Sequence, residues 1–424
     1  MQPQTQTETS SLLSIARIVG ASERLKGVVM RTPLAENPAW SGRYDCTVWF
    51  KREDLQTVRS YKLRGAYNRM AGLSQAERTR GIVCASAGNH AQGVAFSCHN
   101  LGIAGKIYMP VTTPQQKIQR VRMFGAEMVE VVLAGDTYDD AYAAALLDCQ
   151  ENDKVFIHPF DDLAVIAGQG TVGMEILADS REPIDFIFVP IGGGGLAAGL
   201  GSYFRQISPH TRIIGVEPLG APAMQQSLAA GQVVTLPEID KFVDGAAVRR
   251  VGDTTFDICR GLLDDIVLVP EGKVCTTILQ LYNEDAIVVE PAGALALAAL
   301  DSYRDQIRGK QVVCVVSGGN NDIMRMEEIK ERSMLHEGLK HYFLIRFPQR
   351  AGALREFLGN VLGPRDDISH FEYTKKNNRE KGPALVGIEV ESPRDYAALI
   401  ARMEQHKVDY QCVNDNPTLY HMLV

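Results

Sequence analysis

A short apolar run, Phe186-Ile-Phe-Val-Pro-Ile191, leads into four consecutive glycines, Gly192 to Gly195, and then into a small-residue helical pattern. Glycines between two such patterns leave few arrangements open: a buried strand, a bare backbone loop and a helix start. Peptide N–H groups and the positive end of a helix meet at such a loop, which is how α/β folds grip a phosphate. The same rhythm runs through the first ~330 residues, where β-branched runs alternate with longer helical stretches. Strands are expected at residues 81–86, 106–109, 127–132, 186–190, 212–216 and 312–316, and helices at 90–101, 114–124 and 136–152. The alternation implies an α/β protein with largely parallel sheets, and sites at the carboxyl ends of its strands.

The pattern changes after Asn321. Residues 322–340 are charged and helical, and read as a connector. Strands at 341–347, 368–374, 384–390 and 408–413, with a loop entering a helix from Pro348 and a helix at 393–406, give the order βαββαβ of a ferredoxin-like module.

Composition bounds the function. Hydrophobic residues make up 45% and charged residues 22%, as in a soluble protein with a full core. A net charge of −7 argues against nucleic acid as the main partner. The eight cysteines form no CxxC pair and read as reduced thiols of a cytoplasmic protein. The nine histidines show no metal-ligand spacing, so no metal is expected. The first nine residues lack the basic and apolar segments of a secretory signal, and no ~18-residue apolar run suggests a membrane span.

The glycine loop admits two cofactors. Gly193 and Gly195, with Glu217 at the end of a second strand, fit a dinucleotide site with its ribose-binding acid. Equally, the successive peptide N–H groups can wrap one phosphate monoester. Three other stretches bear on the choice. In Ser60-Tyr-Lys-Leu-Arg-Gly-Ala-Tyr-Asn68, Lys62 sits between Tyr61 and Leu63 ahead of a small-residue helix. A lysine held off bulk water loses pKa, its free amine can form a Schiff base, and Tyr61 can offer a flat face to an aromatic cofactor. Cys84-Ala-Ser-Ala-Gly-Asn-His-Ala-Gln-Gly93 turns from strand to helix and bares N–H groups and a hydroxyl suited to a carboxylate, with the Asn89 amide able to bond a phenolic oxygen. Val315-Val-Ser-Gly-Gly-Asn320 ends a strand in Ser317, whose hydroxyl can bond a ring nitrogen. Singly, each stretch is also explained by helix capping or an ordinary turn.

Taken in order, these stretches resemble the fold-type II pyridoxal-phosphate enzymes, and among them the threonine dehydratases (threonine ammonia-lyases). Phe242-Val-Asp-Gly-Ala-Ala-Val-Arg-Arg-Val-Gly252 and Val289-Glu-Pro-Ala-Gly-Ala294 are similar to that family too, so the resemblance covers essentially the whole chain. It implies a tryptophan-synthase-β-like catalytic domain over 1–325 with two parallel-sheet lobes, the smaller at roughly 72–165. A connector helix over 326–340 and one ACT-like regulatory domain over 341–424 would follow. Lys62 would carry pyridoxal 5'-phosphate and take the substrate's α-proton. Gly192, Gly193, Gly194, Gly195 and Leu196 would hold the phosphate, Asn89 the ring hydroxyl and Ser317 the ring nitrogen. Tyr61 would pack on the ring with Gly245 beside it. Ser86, Ala87, Gly88, Asn89 and His90 would hold the carboxylate of L-threonine, or of L-serine. Isoleucine is the expected regulatory ligand, near Phe347-Pro-Gln-Arg-Ala-Gly-Ala-Leu354, and a homotetramer the expected assembly. A serine dehydratase, a racemase or another hydroxyamino-acid lyase of the same fold stays open, as do a nicotinamide-dependent dehydrogenase and a non-catalytic amino-acid sensor. The serine racemases place a divalent metal after the equivalent of Val216-Glu-Pro218, where this chain has Leu219-Gly-Ala-Pro-Ala-Met224 and lacks the second acid.

Overall fold

The computed structural model describes residues 12–373 and 380–424. The expectation of no signal segment in the first nine residues, and the last residue of the strand expected at 368–374, lie outside the described residues. The chain divides into two compact units, Met1–Asp322 and Ile323–Val424.

The first unit contains β1 (Leu34–Glu36), β2 (Thr47–Arg52), β3 (Ile82–Ala85), β4 (Gly105–Met109) and β5 (Val129–Leu133). It continues with β6 (Val155–Phe156), β7 (Phe186–Pro190), β8 (Arg212–Pro218), β9 (Asp265–Val269) and β10 (Gln311–Val316). They build a six-stranded sheet, β1-β2-β10-β7-β8-β9, and a four-stranded sheet, β5-β4-β3-β6. Every pair is parallel except β1 with β2. All six expected strands form. β5 begins at Val129 rather than Glu127, because a 3-10 turn occupies Ala126–Met128. The helix expected from 136 runs Tyr138–Glu151, since Thr137 and Asp140 cap it reciprocally.

Helices Lys62–Ala71, Leu163–Asp179 and Gly195–Ile207 pack in backbone contact. A methyl group on Gly168 would stand 2.5 Å from the Arg64 carbonyl oxygen, and one on Gly199 2.2 Å from that of Ile166. Close packing of this kind fixes the starts of the first and third helices relative to each other. Beneath the Lys62 helix lies a buried ionic quartet. Arg64 donates to both oxygens of Glu53 at 2.8 Å and to both of Glu175 at 2.7 and 2.8 Å, and Lys51 on β2 donates to Glu175 at 2.6 Å. Arg64, Glu53 and Lys51 are fully buried.

The second unit opens with helix Met326–His336, followed by β11 (Lys340–Pro348), helix Ala353–Asn360, β12 (Asp367–Tyr373), β13 (Lys381–Glu389), helix Asp395–Gln405 and β14 (Tyr410–Cys412). The sheet order β12-β13-β11-β14, antiparallel throughout, is that of the expected ferredoxin-like module. The connector helix stops at His336 rather than 340: Gly338 takes a left-handed φ of 66°, and Lys340 already pairs with Glu389 as the first residue of β11. A further helix, Pro417–Leu423, follows β14. Among the described residues, no helix is long and apolar enough to cross a membrane, and all eight cysteines are free.

Candidate active site

Lys62 is the first residue of its helix, and the chain reaches it by a constrained path. Arg59 adopts a left-handed φ of 57°, Ser60 bridges Gly318, and the Tyr61 N–H donates to the Ser317 carbonyl at 3.2 Å. This lays the lysine beside the exit of β10. Its Nζ donates to the Pro159 carbonyl at 2.8 Å and lies 5.4 Å from the centre of the Tyr61 ring and 5.9 Å from that of Phe160. Burial pulls the Lys62 pKa down to about 8, opposed by the Glu290 carboxylate. Burial, and then Glu290, push the Tyr61 phenol above its usual range.

The glycine loop lies against the same residues. A side chain on Gly193 would enter the Phe160 ring at 2.3 Å, and one on Gly195 would stand 3.0 Å from Phe160 Cβ. Gly194 takes a φ of 95°, and a methyl group on Gly192 would stand 3.0 Å from Ala246. The Gly193 carbonyl accepts from the Gly252 N–H and the Thr255 hydroxyl, and the Gly194 carbonyl from the Ala198 N–H. Among the described residues, the N–H groups of Gly192, Gly193 and Gly194 have no partner within the protein. Leu196 buries its side chain in the core, so only its peptide can face the loop.

The turn after β3 lies on the other side of Lys62, where Gly93 packs on the backbone of Lys62 and Leu63. Ser86, Ala87, Gly88 and Asn89 are partly exposed, and a methyl group on Gly88 would meet nothing within 4 Å. The Ser86 hydroxyl accepts from the Gly88 N–H at 3.2 Å. His90 is turned away: its Nε2 lies 2.9 Å from the Ile157 carbonyl, and burial, reinforced by Lys62, lowers its pKa to about 3. The imidazole is therefore neutral, and only the His90 peptide can serve a carboxylate. Asn89 donates from Nδ2 to Glu290 at 2.6 Å and accepts at Oδ1 from Asn320 at 2.8 Å. Ser317 is buried, and its hydroxyl donates to the Ala292 carbonyl at 3.2 Å. Gly245 is exposed, and a methyl group there would stand 2.8 Å from Ala292 Cβ and 3.4 Å from Glu290.

Glu290 and Phe160 are absent from the expected site. Glu290 is 5% exposed; burial and then Asp244 push its pKa up to about 7 against the Asn89 donor and Lys117. Its partner Asn89 is 201 positions away, so no local pattern joins them. Phe160 lies in the loop where His158 Nδ1 accepts from the Phe160 and Asp161 N–H groups. The sequence signal for it was the aromatic itself, close after a strand end. Glu217 is engaged elsewhere: fully buried, it accepts from the Met224 and Gln225 N–H groups at 2.8 Å each. It caps helix Ala223–Ala230 and is closed to a ribose. Among the described residues, no group of three or more His, Cys, Asp or Glu side chains could hold a metal ion.

A loop of unpartnered N–H groups at a helix start, a half-buried lysine of lowered pKa and the Asn89 amide fit a phosphorylated aromatic aldehyde. A family model described as pyridoxal-phosphate dependent enzyme matches residues 25–318. With two largely parallel sheets, the chain is a fold-type II pyridoxal-phosphate enzyme. A second model, described as the C-terminal regulatory domain of threonine dehydratase, matches residues 331–423. The chain is 57% identical over 412 residues to L-threonine dehydratase biosynthetic IlvA of Halalkalibacterium halodurans, covering 97% of this chain and 99% of that protein. It is 58% identical over 415 residues to the Bacillus subtilis protein of the same name, covering 98% of each. The solved structure of the processed form of threonine deaminase isoform 2 from Solanum lycopersicum matches with a TM-score of 0.73 at 42% identity, over 76% of this chain and 88% of that one. Within its class, the chain belongs to the biosynthetic threonine dehydratase family.

Proposed function

We propose that the chain converts L-threonine to 2-oxobutanoate and ammonia, with pyridoxal phosphate held on Lys62. The observation that carries this reading is the Lys62 amine, set between the Tyr61 and Phe160 rings with a pKa drawn down to about 8. When bound, the cofactor supplies an electron sink for the charge left on the substrate's α-carbon. The protein's residues do the rest. Gly192 to Leu196 hold the phosphate by their peptide N–H groups, Asn89 holds the phenolic oxygen, and the Ser317 hydroxyl swings from the Ala292 carbonyl to the ring nitrogen. Tyr61 and Gly245 flank the ring. Ser86 to His90 orient the substrate carboxylate by hydroxyl and peptide donors, and Lys62 takes the α-proton. The β-hydroxyl departs as water and leaves an enamine, which tautomerises to an imine that water hydrolyses to 2-oxobutanoate and ammonia.

L-serine would enter the same site, since one methyl group is worth only ~1–3 kcal/mol of discrimination. The second unit would sense isoleucine. The loop between β11 and helix Ala353–Asn360, where Gly352 takes a φ of 87°, is the expected contact. A homotetramer in the cytoplasm completes the reading. The test is Lys62→Ala in the purified protein, with absorbance and 2-oxobutanoate formation measured together. Both the yellow colour and the turnover should vanish; a colourless variant that still turns over threonine refutes the assignment.

A further inference from the structure

The Asn89 carboxamide is engaged at both ends before any ligand is considered. Its Oδ1 accepts from Asn320 Nδ2 at 2.8 Å, and its Nδ2 donates to Glu290 Oε1 at 2.6 Å. Asn320 is anchored in turn, because its Nδ2 also donates to the Val58 carbonyl at 2.8 Å. A carboxamide has two N–H donors and one oxygen. With the oxygen taken by a donor and one N–H taken by a carboxyl oxygen, the group cannot flip, and its second N–H has one direction left.

Two glycines make room for the Glu290 side chain. A methyl group on Gly318 would stand 2.3 Å from Glu290 Oε1, and one on Gly245 3.4 Å from it. The Glu290 peptide N–H donates to the Gly318 carbonyl at 3.2 Å, which ties the helix start at Pro291 to the exit of β10. In its ionised form Glu290 accepts a bond roughly twice as strong as a neutral group would, and a neutral residue of similar size would have avoided the desolvation cost of burying that form.

We propose that Glu290 and Asn320 are positioning residues that aim the second Asn89 N–H at the phenolic oxygen of the cofactor. Neither side chain need touch the cofactor, because both act through Asn89. The inference rests on the reading of Asn89 given above, and the test separates the two. Asn89→Ala, Glu290→Gln, Glu290→Ala, Asn320→Ala and the doubles Asn89→Ala/Glu290→Gln and Asn89→Ala/Asn320→Ala are prepared as apoprotein and titrated with pyridoxal phosphate. Fluorescence quenching gives affinity, and the absorption band of the loaded protein gives a second readout independent of turnover. Asn89→Ala, Glu290→Ala and Asn320→Ala should each weaken binding about tenfold and move the band. Each double should be no worse than Asn89→Ala alone, since residues acting through one partner are not additive. Glu290→Gln, which keeps the shape and an acceptor, should recover part of the loss seen in Glu290→Ala and stands as the test if that variant does not fold. Losses that add in the doubles, or an unchanged band in Glu290→Ala and Asn320→Ala beside a shifted one in Asn89→Ala, overturn the positioning role while leaving Asn89 in place. An unchanged affinity and band in Asn89→Ala overturn both.

Discussion

Lys62 works at the balance between two opposed effects. Burial lowers its pKa to about 8, while the Glu290 carboxylate resists that fall. Near pH 8 about half of the amine is therefore free base, against roughly 0.3% for an ordinary lysine. In the apoprotein, an amine-directed reagent should label Lys62 ahead of the other lysines, with a pH midpoint near 8. Peptide mapping showing a midpoint above pH 10 would contradict the burial argument. Gly193 is constrained by space alone, since a methyl group there would enter the Phe160 ring. Gly193→Ala should displace that ring and the loop together, costing about 1–3 kcal/mol. Cofactor affinity should drop at least tenfold, and tight retention of the cofactor by a stable Gly193→Ala protein would show that the loop can yield.

At the scale of elements, the site is held by three helices whose backbones touch. Gly168→Ala or Gly199→Ala should push helix Leu163–Asp179 off its neighbours, moving the start of the Lys62 helix away from the glycine loop. Loss of cofactor affinity alongside a fall in Tm is expected, although neither glycine lies in the loop; a fall in Tm alone would argue that the alignment survives. The strand–helix alternation was legible because β3, β4, β7, β8 and β10 are short apolar runs buried almost throughout. β2 was not, since Thr47-Val-Trp-Phe-Lys-Arg52 contains two cations, and only the fold reveals that Glu175 neutralises Lys51 inside the sheet. Within the site, the lysine, the glycines and the Ser86–His90 turn were legible as local patterns. Glu290 was not, because its meaning depends on Asn89 and Gly318, both distant in sequence.

For the whole molecule, two neutral imidazoles set an acid limit. Burial lowers the pKa of His90 to about 3 and that of His158 to about 4. The unfolded chain therefore binds more protons than the folded one between pH ~6.5 and those values, and stability falls as pH falls through that window. Each imidazole contributes up to about 1.4 kcal/mol per pH unit. Tm should decline steadily from pH 6.5 to 5, and a flat profile would mean that both rings accept protons in place. The division after Asp322 gives a second expectation at this scale. A chain ending near residue 335 should keep threonine turnover and lose inhibition by isoleucine; equal inhibition of the shortened chain would remove the second unit as the sensor. The ionic quartet beneath the Lys62 helix has a historical consequence. Two cations and two anions sum to zero there, so removing the charge of any single member strands an opposite one at about 3–5 kcal/mol. A lineage can leave this arrangement only through several coordinated replacements, each deleterious alone. The charge of Arg64, two places from Lys62, is thus costly to lose whatever chemistry its neighbour performs.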